Sequence, residues 1–335
     1  MKAWRIENDD GIDALNLADI DIGEPGPGEV RFRVKASSLN RRDYNTVRAP
    51  GERNTPMPRI PNSDAAGEVV AVGEGVSEFK PGDRVASCFF KRWQGGRMRA
   101  PIMASALGGA EEGMLSDETI LPETGLVPVP EHLTWEEAGT LTVAGVTAWN
   151  ALVVQGRLKA GDTVLVMGTG GVSIFALQFS KMMGARVIVT SKSDEKLERA
   201  RGLGADETVN YADIPNWDDA VMDLTDGNGV DQVVEVGGPG TLQKSISAAG
   251  FGGHIAMIGS LQQGDVNVHP LLRKSIRLSG IFAGSRDMFR DMNTAINVNG
   301  MRPVVDQVFD FDDARSAFHA LGSNDHFGKI VIRND

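Results

Sequence analysis

Apolar residues recur along the chain in two rhythms. Through residues 1–125 they alternate with polar ones in short runs such as "EVRFRVKASSLN" and "AAGEVVAVGEGV", broken by Gly and Pro. Alternation at a period of two predicts half-buried β-strands separated by turns. From 126 to 265 the rhythm changes to short apolar runs, "TVLVMG", "RVIVTS", "ETVNY", "GVDQVVEVGG" and "HIAMIGS", each followed by a helical or turn segment. Helices are predicted over 172–183, 194–202 and 239–249. Runs buried on both faces and joined by helices predict parallel strands with right-handed crossovers. Residues 266–335 return to mixed character. There "SIRLSGIFAG" and "GKIVIRND" read as strands, and "DDARSAFHALG" as an amphipathic helix opening on acidic residues and closing on Gly322. A β-rich domain interrupted by an α/β domain accounts for that return.

The transition into the second rhythm carries the first chemical signal. In "VLVMGTGGVS", residues 164–173, a strand runs into a glycine turn and then into a helix. Gly168 makes the tight turn, Thr169 follows it, and Gly170 lets the backbone approach a pyrophosphate. Gly171 and Val172 open a helix whose N-terminal N–H groups and dipole attract phosphates. The last glycine of the G-x-G-x-x-G pattern is replaced by Ser173, small enough for close packing of helix on strand. A dinucleotide is therefore the expected ligand. NAD sites place an Asp or Glu at the end of the next strand for the ribose 2′-hydroxyl. Here that strand ends on Thr190, Ser191 and Lys192, groups suited to a 2′-phosphate. Asp194 and Glu195 come later, where the first turn of a helix favours acidic residues on its own account. NADP is expected in preference to NAD.

Composition narrows the partners. The chain of 335 residues has a net charge of −11, which disfavours nucleic acid and anionic membrane surfaces. Its one basic run, "KRWQGGRMR", reads as a solvated loop. No stretch reaches the ~20 apolar residues of a membrane span, and the N-terminus lacks the apolar core of a secretory signal. One cysteine, Cys88, and five histidines offer neither a disulfide framework nor a tetrahedral N/S metal site. A cytoplasmic protein is expected, with no metal.

Further motifs, "GEVVAVGEGVSEFKPGDRV", "AGTLTVAGVTAWNAL", "VEVGGPGTL" and "GKIVI", follow in an order that resembles the medium-chain dehydrogenase/reductase superfamily. The resemblance implies an α/β chain with a GroES-like, β-rich catalytic domain (1–125 and 266–335) split around a Rossmann-fold NAD(P)-binding domain (126–265). The active site of such proteins lies in the cleft between the two. Zinc-dependent members hold a catalytic metal at positions that correspond here to Asn40, Ser63 (followed by Asp64) and Val143, and their four-cysteine structural lobe has no counterpart. The chain therefore resembles the zinc-free branch of quinone oxidoreductases, enoyl reductases and alcohol-dehydrogenase-like proteins. That branch implies Asn40 near the nicotinamide, Lys196 and Tyr211 beside a 2′-phosphate, and the backbone of "GIFAGSR", with Phe282 and Ala283, against the nicotinamide amide. Thr147, Gly237, and Gly259 with Ser260 of "MIGS" complete the expected cofactor-binding set. The relatives' assembly implies a homodimer.

Hydride addition to a carbonyl or a conjugated alkene leaves negative charge on oxygen, which needs donors. Asn40, Tyr44 and Ser63 are the candidate catalytic residues. Asn40 offers an amide N–H and Tyr44 a phenol, although Tyr44 reads equally as an aromatic packed against the loop "VRAPGERNTPMPRIP", residues 47–61. Asp43 reads as a helix cap or a partner for Arg41 or Arg42, and Asp64 as a hydrogen-bond acceptor. A quinone or α,β-unsaturated carbonyl spreads the charge and suits this modest equipment. A zinc-independent alcohol or carbonyl dehydrogenase is the second expectation, and an NADPH-binding protein with little turnover the third.

Overall fold

The structure, a computed structural model, describes residues 1–259 and 264–334. It divides into two compact units, 1–146 with 284–335, and 147–283. Both crossings fall about twenty residues later than the boundaries at 126 and 265 expected from the hydropathy pattern. Strand pairing explains the shift. Leu126–Pro128 pairs with Arg84–Ser87 in the first unit's sheet, and Arg277–Gly280 pairs with Ala249–Met257 in the second's.

In the first unit, alternation builds a seven-stranded sheet around the long strand Glu29–Ser38. Val30, Phe32, Val34 and Ala36 are buried on one face. Arg31 and Arg33 point away from them, and both meet Glu118 on the paired strand Glu118–Pro122. The same strand also pairs antiparallel with Ala66–Val72 and with Lys329–Arg333, the last strand of the chain. The "DDARSAFHALG" helix spans Ala314–Ser323 and runs through Gly322 to a left-handed Asn324 at φ 63°. Gly322 is thus an interior position and not a stop. A Cβ there would come within 3.0 Å of the Tyr44 hydroxyl oxygen, so packing against Tyr44 explains the glycine.

The second unit is a six-stranded parallel sheet in the order Glu207–Asn210, Arg186–Ser191, Thr163–Met167, Val230–Glu235, Ala249–Met257, Arg277–Gly280. Helices Gly171–Met182, Asp194–Gly202 and Pro239–Ala248 lie within one residue of the predicted spans. Thr163–Met167 and Val230–Glu235 are neighbours, although two strands, Arg186–Ser191 and Glu207–Asn210, come between them in sequence. The strand order therefore reverses between them, and ligands of open α/β sheets bind outside the carboxyl ends of strands at such a point. No helix among the described residues is long and apolar enough to cross a membrane.

His254 is a polar residue inside this sheet, 1% exposed, with neither ring nitrogen hydrogen-bonded among the described residues. Burial, assisted by the Arg277 guanidinium on the neighbouring strand, pushes its pKa down to about 4. The folded state therefore resists protonation while the unfolded chain accepts a proton below its ordinary value near 6.5. Stability from this group is complete above that value and is lost as pH falls toward 4. Comparing urea midpoints at pH 7 and pH 5, His254→Leu is expected to lose about 2 kcal/mol less than the parent over that interval. Equal losses in the two proteins would refute this account.

Candidate functional site

The phosphate turn forms as its glycines require. Gly168 adopts φ 71° at the end of Thr163–Met167, a backbone conformation that favours glycine. Its N–H bonds the Thr190 carbonyl, which ties the turn to the neighbouring strand. Thr169 is buried, Gly170 is the helix N-cap, and Gly171 and Val172 are the first helical residues. The helix closes its first bond from Ile174 N–H to the Gly170 carbonyl, so the N–H groups just before it point out of the helix end. Ser173 takes up the lost third glycine with a bond of its own. Its Oγ donates to the Met167 carbonyl at 2.7 Å, binding helix to strand while fully buried.

Ser191, Lys192, Lys196 and Tyr211 assemble at the carboxyl ends of two adjacent strands. Asn210 lies opposite Ser191, and the Tyr211 N–H donates to the Ser191 carbonyl at 3.0 Å. Ser191 is buried, Lys192 is exposed, and Lys196 lies in the first turn of the helix capped by Ser193. Tyr211 is 40% exposed, and its partial burial raises its phenol pKa. The nearby carboxylate of Asp194 accepts from the Asn210 amide at 2.9 Å.

The remaining expected cofactor residues are placed less uniformly. Thr147 is buried at the start of the second unit. Gly237 lies in the loop after Val230–Glu235. Its N–H is spent on the carboxylate of Glu235 at 2.7 Å, alongside Gly238 N–H, Thr241 Oγ1 and Ser245 Oγ. Glu235, fully buried, thus ties the Gly237–Gly238 turn to Thr241 and Ser245 of the helix Pro239–Ala248. Gly259 is sterically required, since a Cβ would stand 1.7 Å from the Val236 carbonyl oxygen. Ser260 lies outside the described residues. Phe282 is 55% exposed, and Ala283 takes a left-handed φ of 53° with its carbonyl held by the Asn150 amide at 2.7 Å.

In the β-rich unit, the candidate catalytic residues belong to one buried polar network that Lys329 joins. Asn40 N-caps the helix Arg41–Arg48, and Asp43 accepts from both the Asn40 backbone N–H and its side-chain Nδ2, each at 3.0 Å. Asp43 is also paired with Arg42 at 2.9 Å, so it serves as cap and as ion-pair partner. Asp64 accepts from Ser38 Oγ at 2.8 Å and Ser63 Oγ at 3.0 Å. The Lys329 ammonium donates to the Leu39 carbonyl at 2.7 Å and to Asn40 Oδ1 at 2.6 Å, and stands 3.5 Å from Asp64. Burial pushes the Asp64 carboxyl above the carboxylate range and the Lys329 ammonium below its own, while their mutual attraction opposes both shifts.

This geometry revises two expectations. Ser63 has a single proton directed into the network, and the residue is 0% exposed, so it is no donor to an external oxygen. Tyr44 packs against the core around Phe318 and Leu321, with the Arg41 guanidinium 5.1 Å from its ring centre and Gly322 at its edge. Tyr44 is thus a packed aromatic, with Gly322 of the last helix as a neighbour where the sequence names the 47–61 loop. Lys329 is the residue that motif reasoning passes over. The available signal is a charge opening the apolar run "KIVI".

At the three positions that correspond to zinc ligands, Asn40 is engaged by Lys329 and Asp43, Ser63 by Asp64, and Val143 carries only hydrocarbon. Among the described residues, no group of three or more His, Cys, Asp or Glu is arranged to hold a metal ion. Cys88 is buried, and burial pushes its thiol up to about 12.

Comparison with known proteins places this geometry. The family described as "Alcohol dehydrogenase GroES-like domain" matches residues 26–131, and "Zinc-binding dehydrogenase" matches 171–297. The chain is 40% identical to a zinc-type alcohol dehydrogenase-like protein of Schizosaccharomyces pombe, over 97% of this chain and 96% of that one. It is 25% identical to the quinone oxidoreductase of Homo sapiens, over 99% and 97%. A crystal structure of an NAD-dependent alcohol dehydrogenase superposes with a TM-score of 0.90 at 34% identity, covering 99% of each chain. The chain therefore belongs to the medium-chain dehydrogenase/reductase superfamily, as an oxidoreductase of the alcohol dehydrogenase and quinone oxidoreductase kind.

Proposed function

We propose that the chain is a zinc-independent, NADPH-dependent reductase of quinones or α,β-unsaturated carbonyl compounds. The observation that carries this reading is the donor set around Asn40. An amide already placed between an ammionium and a carboxylate, a serine spent on Asp64 and a valine do not fit a zinc ion, which takes thiolate, imidazole or carboxylate.

The bound reduced nicotinamide would supply the hydride. The chain's residues then do three things. The glycine turn and the helix end at Gly170–Ser173 would hold the pyrophosphate. Ser191, Lys192, Lys196 and Tyr211 would receive a 2′-phosphate, at a strand whose last residue is a serine and where the nearby Asp194 carboxylate is engaged by the Asn210 amide. Asn40 is 9% exposed, while Ser38, Asp43, Ser63, Asp64 and Lys329 are at most 3% exposed. One Nδ2 proton goes to Asp43, and the other leans toward Asp64, which Ser38, Ser63 and Lys329 already serve. That second proton is the least committed donor for an oxygen gaining charge. Delocalised oxyanions need no more than such a donor, which favours enones and quinones over unactivated alcohols.

The likeness to an NAD-dependent alcohol dehydrogenase supports a second reading, a zinc-independent alcohol or carbonyl dehydrogenase. NADPH consumption by the purified protein, measured with a panel of quinones, enones and simple ketones with and without EDTA, separates the two. Turnover of quinones or enones untouched by EDTA is the expected result. Turnover of simple ketones alone would establish the second reading, and inhibition by EDTA would overturn zinc independence. NADPH binding with no oxidation by any acceptor would overturn both.

A further inference from the structure

The Asn40 side chain can be flipped end for end about its last torsion, which would exchange its donor and its acceptor. The contacts here forbid the exchange on chemical grounds. An ammonium only donates and a carboxylate only accepts. With Lys329 Nζ 2.6 Å from one end and Asp43 Oδ2 3.0 Å from the other, the oxygen must face the lysine and the nitrogen must face Asp43. Lys329 therefore decides which end of the amide turns toward the carboxylates, and hence where its second N–H lies.

The same ammonium gathers three acceptors from distant segments: the Leu39 carbonyl and Asn40 Oδ1 from the end of Glu29–Ser38, and Asp64 from the segment leading into Ala66–Val72. It comes from the first residue of the last strand, itself paired with Glu29–Ser38. The side chain is 3% exposed, and these oxygen acceptors favour its charged form against the burial that disfavours it.

We infer that Lys329 is the resident cation of this site and a positioning residue for Asn40: it organises Leu39, Asn40 and Asp64 in place of a metal ion and sets the direction of the Asn40 amide.

The role in positioning rests on the reading of Asn40 as the donor to substrate, whereas the role as resident cation does not. The test therefore has two arms, on Lys329→Ala and on the double variant Lys329→Met with Asp64→Asn. In the first arm, thermal unfolding of Lys329→Ala is followed with methylammonium chloride and, at equal ionic strength, with sodium chloride. Methylammonium is expected to restore a large part of the lost Tm, and sodium much less. Equal effects of the two salts would overturn the resident-cation role. The second arm uses the double variant, which removes both buried charges and so avoids leaving either alone. If Lys329 merely neutralised Asp64, this variant would keep the parent's kcat. With a positioning role, kcat is expected to fall about tenfold to a hundredfold while the NADPH Kd and Tm stay near the parent's. Parental kcat in the double variant would overturn positioning. Should the parent itself turn over no quinone or enone, the reading of Asn40 as donor falls and positioning with it, while the salt comparison still decides the resident-cation role.

Discussion

Replacing Ser191 with Asp is expected to raise the Kd for NADPH at least a hundredfold while leaving NADH binding equal or improved. Ser191 ends the second strand of the parallel sheet, and Tyr211 and Lys196 stand beside it. A carboxylate there would face the 2′-phosphate, whose charge is close to −2 at neutral pH. Juxtaposed like charges in a binding site cost several kcal/mol, and each 1.4 kcal/mol is about tenfold in Kd. With NADH the same carboxylate would instead accept from the ribose 2′-hydroxyl. Titration of cofactor fluorescence with both nucleotides on both proteins reads this directly. If NADPH binding is unchanged by the substitution, the 2′-phosphate is not held at this strand end. A parent that already binds NADH more tightly than NADPH would contradict the cofactor assignment itself.

What the sequence discloses of this molecule follows how locally each feature is determined. The phosphate turn is legible because its demands are local: a positive φ at Gly168, small residues at the helix start, and apolar residues before it. Ser173 shows the margin of such reasoning. Its size is readable as tolerable, but the bond from its hydroxyl to Met167 becomes visible only when helix and strand are placed. Domain limits are less legible because they depend on strand pairing. Leu126–Pro128 has the same composition whichever sheet it joins, and its partner Arg84–Ser87 lies about forty residues away.

The polar network is the least legible part. It draws on residues 38–43, 63–64 and 329, whose proximity follows from the pairing of three strands. In sequence, Asn40 and Ser63 stand out as departures from a metal-binding pattern, and that view assigns both to the substrate. Their partners assign them differently. Asp64 consumes the Ser63 hydroxyl, while Lys329 and Asp43 hold the two ends of the Asn40 amide. Lys329 reads as the polar start of an apolar strand, and nothing near it in sequence indicates its carboxylate. Gly322 is a similar case, a helix-ending signal in one dimension and a contact surface for Tyr44 in three.

That network also carries the largest expected effect on stability. Asp64→Ala leaves the Lys329 ammonium 3% exposed, with the Leu39 carbonyl and Asn40 Oδ1 as acceptors and no carboxylate in contact. Removing one partner of a buried ion pair typically costs about 3–5 kcal/mol, because the remaining charge has lost both water and counter-charge. Two hydroxyls, Ser38 and Ser63, lose their acceptor at the same time. Asp64→Asn keeps the volume and one oxygen for them, so its loss should be smaller, though the ammonium stays unneutralised. The double variant Lys329→Met with Asp64→Asn removes both charges and should recover most of the stability lost in either single variant. Urea unfolding of the parent, Asp64→Asn, Lys329→Met and the double variant measures these differences as a cycle, with Asp64→Ala measured alongside. The coupling between the two sites is expected to be favourable to the parent by more than about 1 kcal/mol, whereas additive losses would mean that the two charges do not sense each other. The ranking Ala below Asn below the double variant distinguishes an uncompensated charge from simple loss of packing, because packing loss alone would leave the double variant least stable of all.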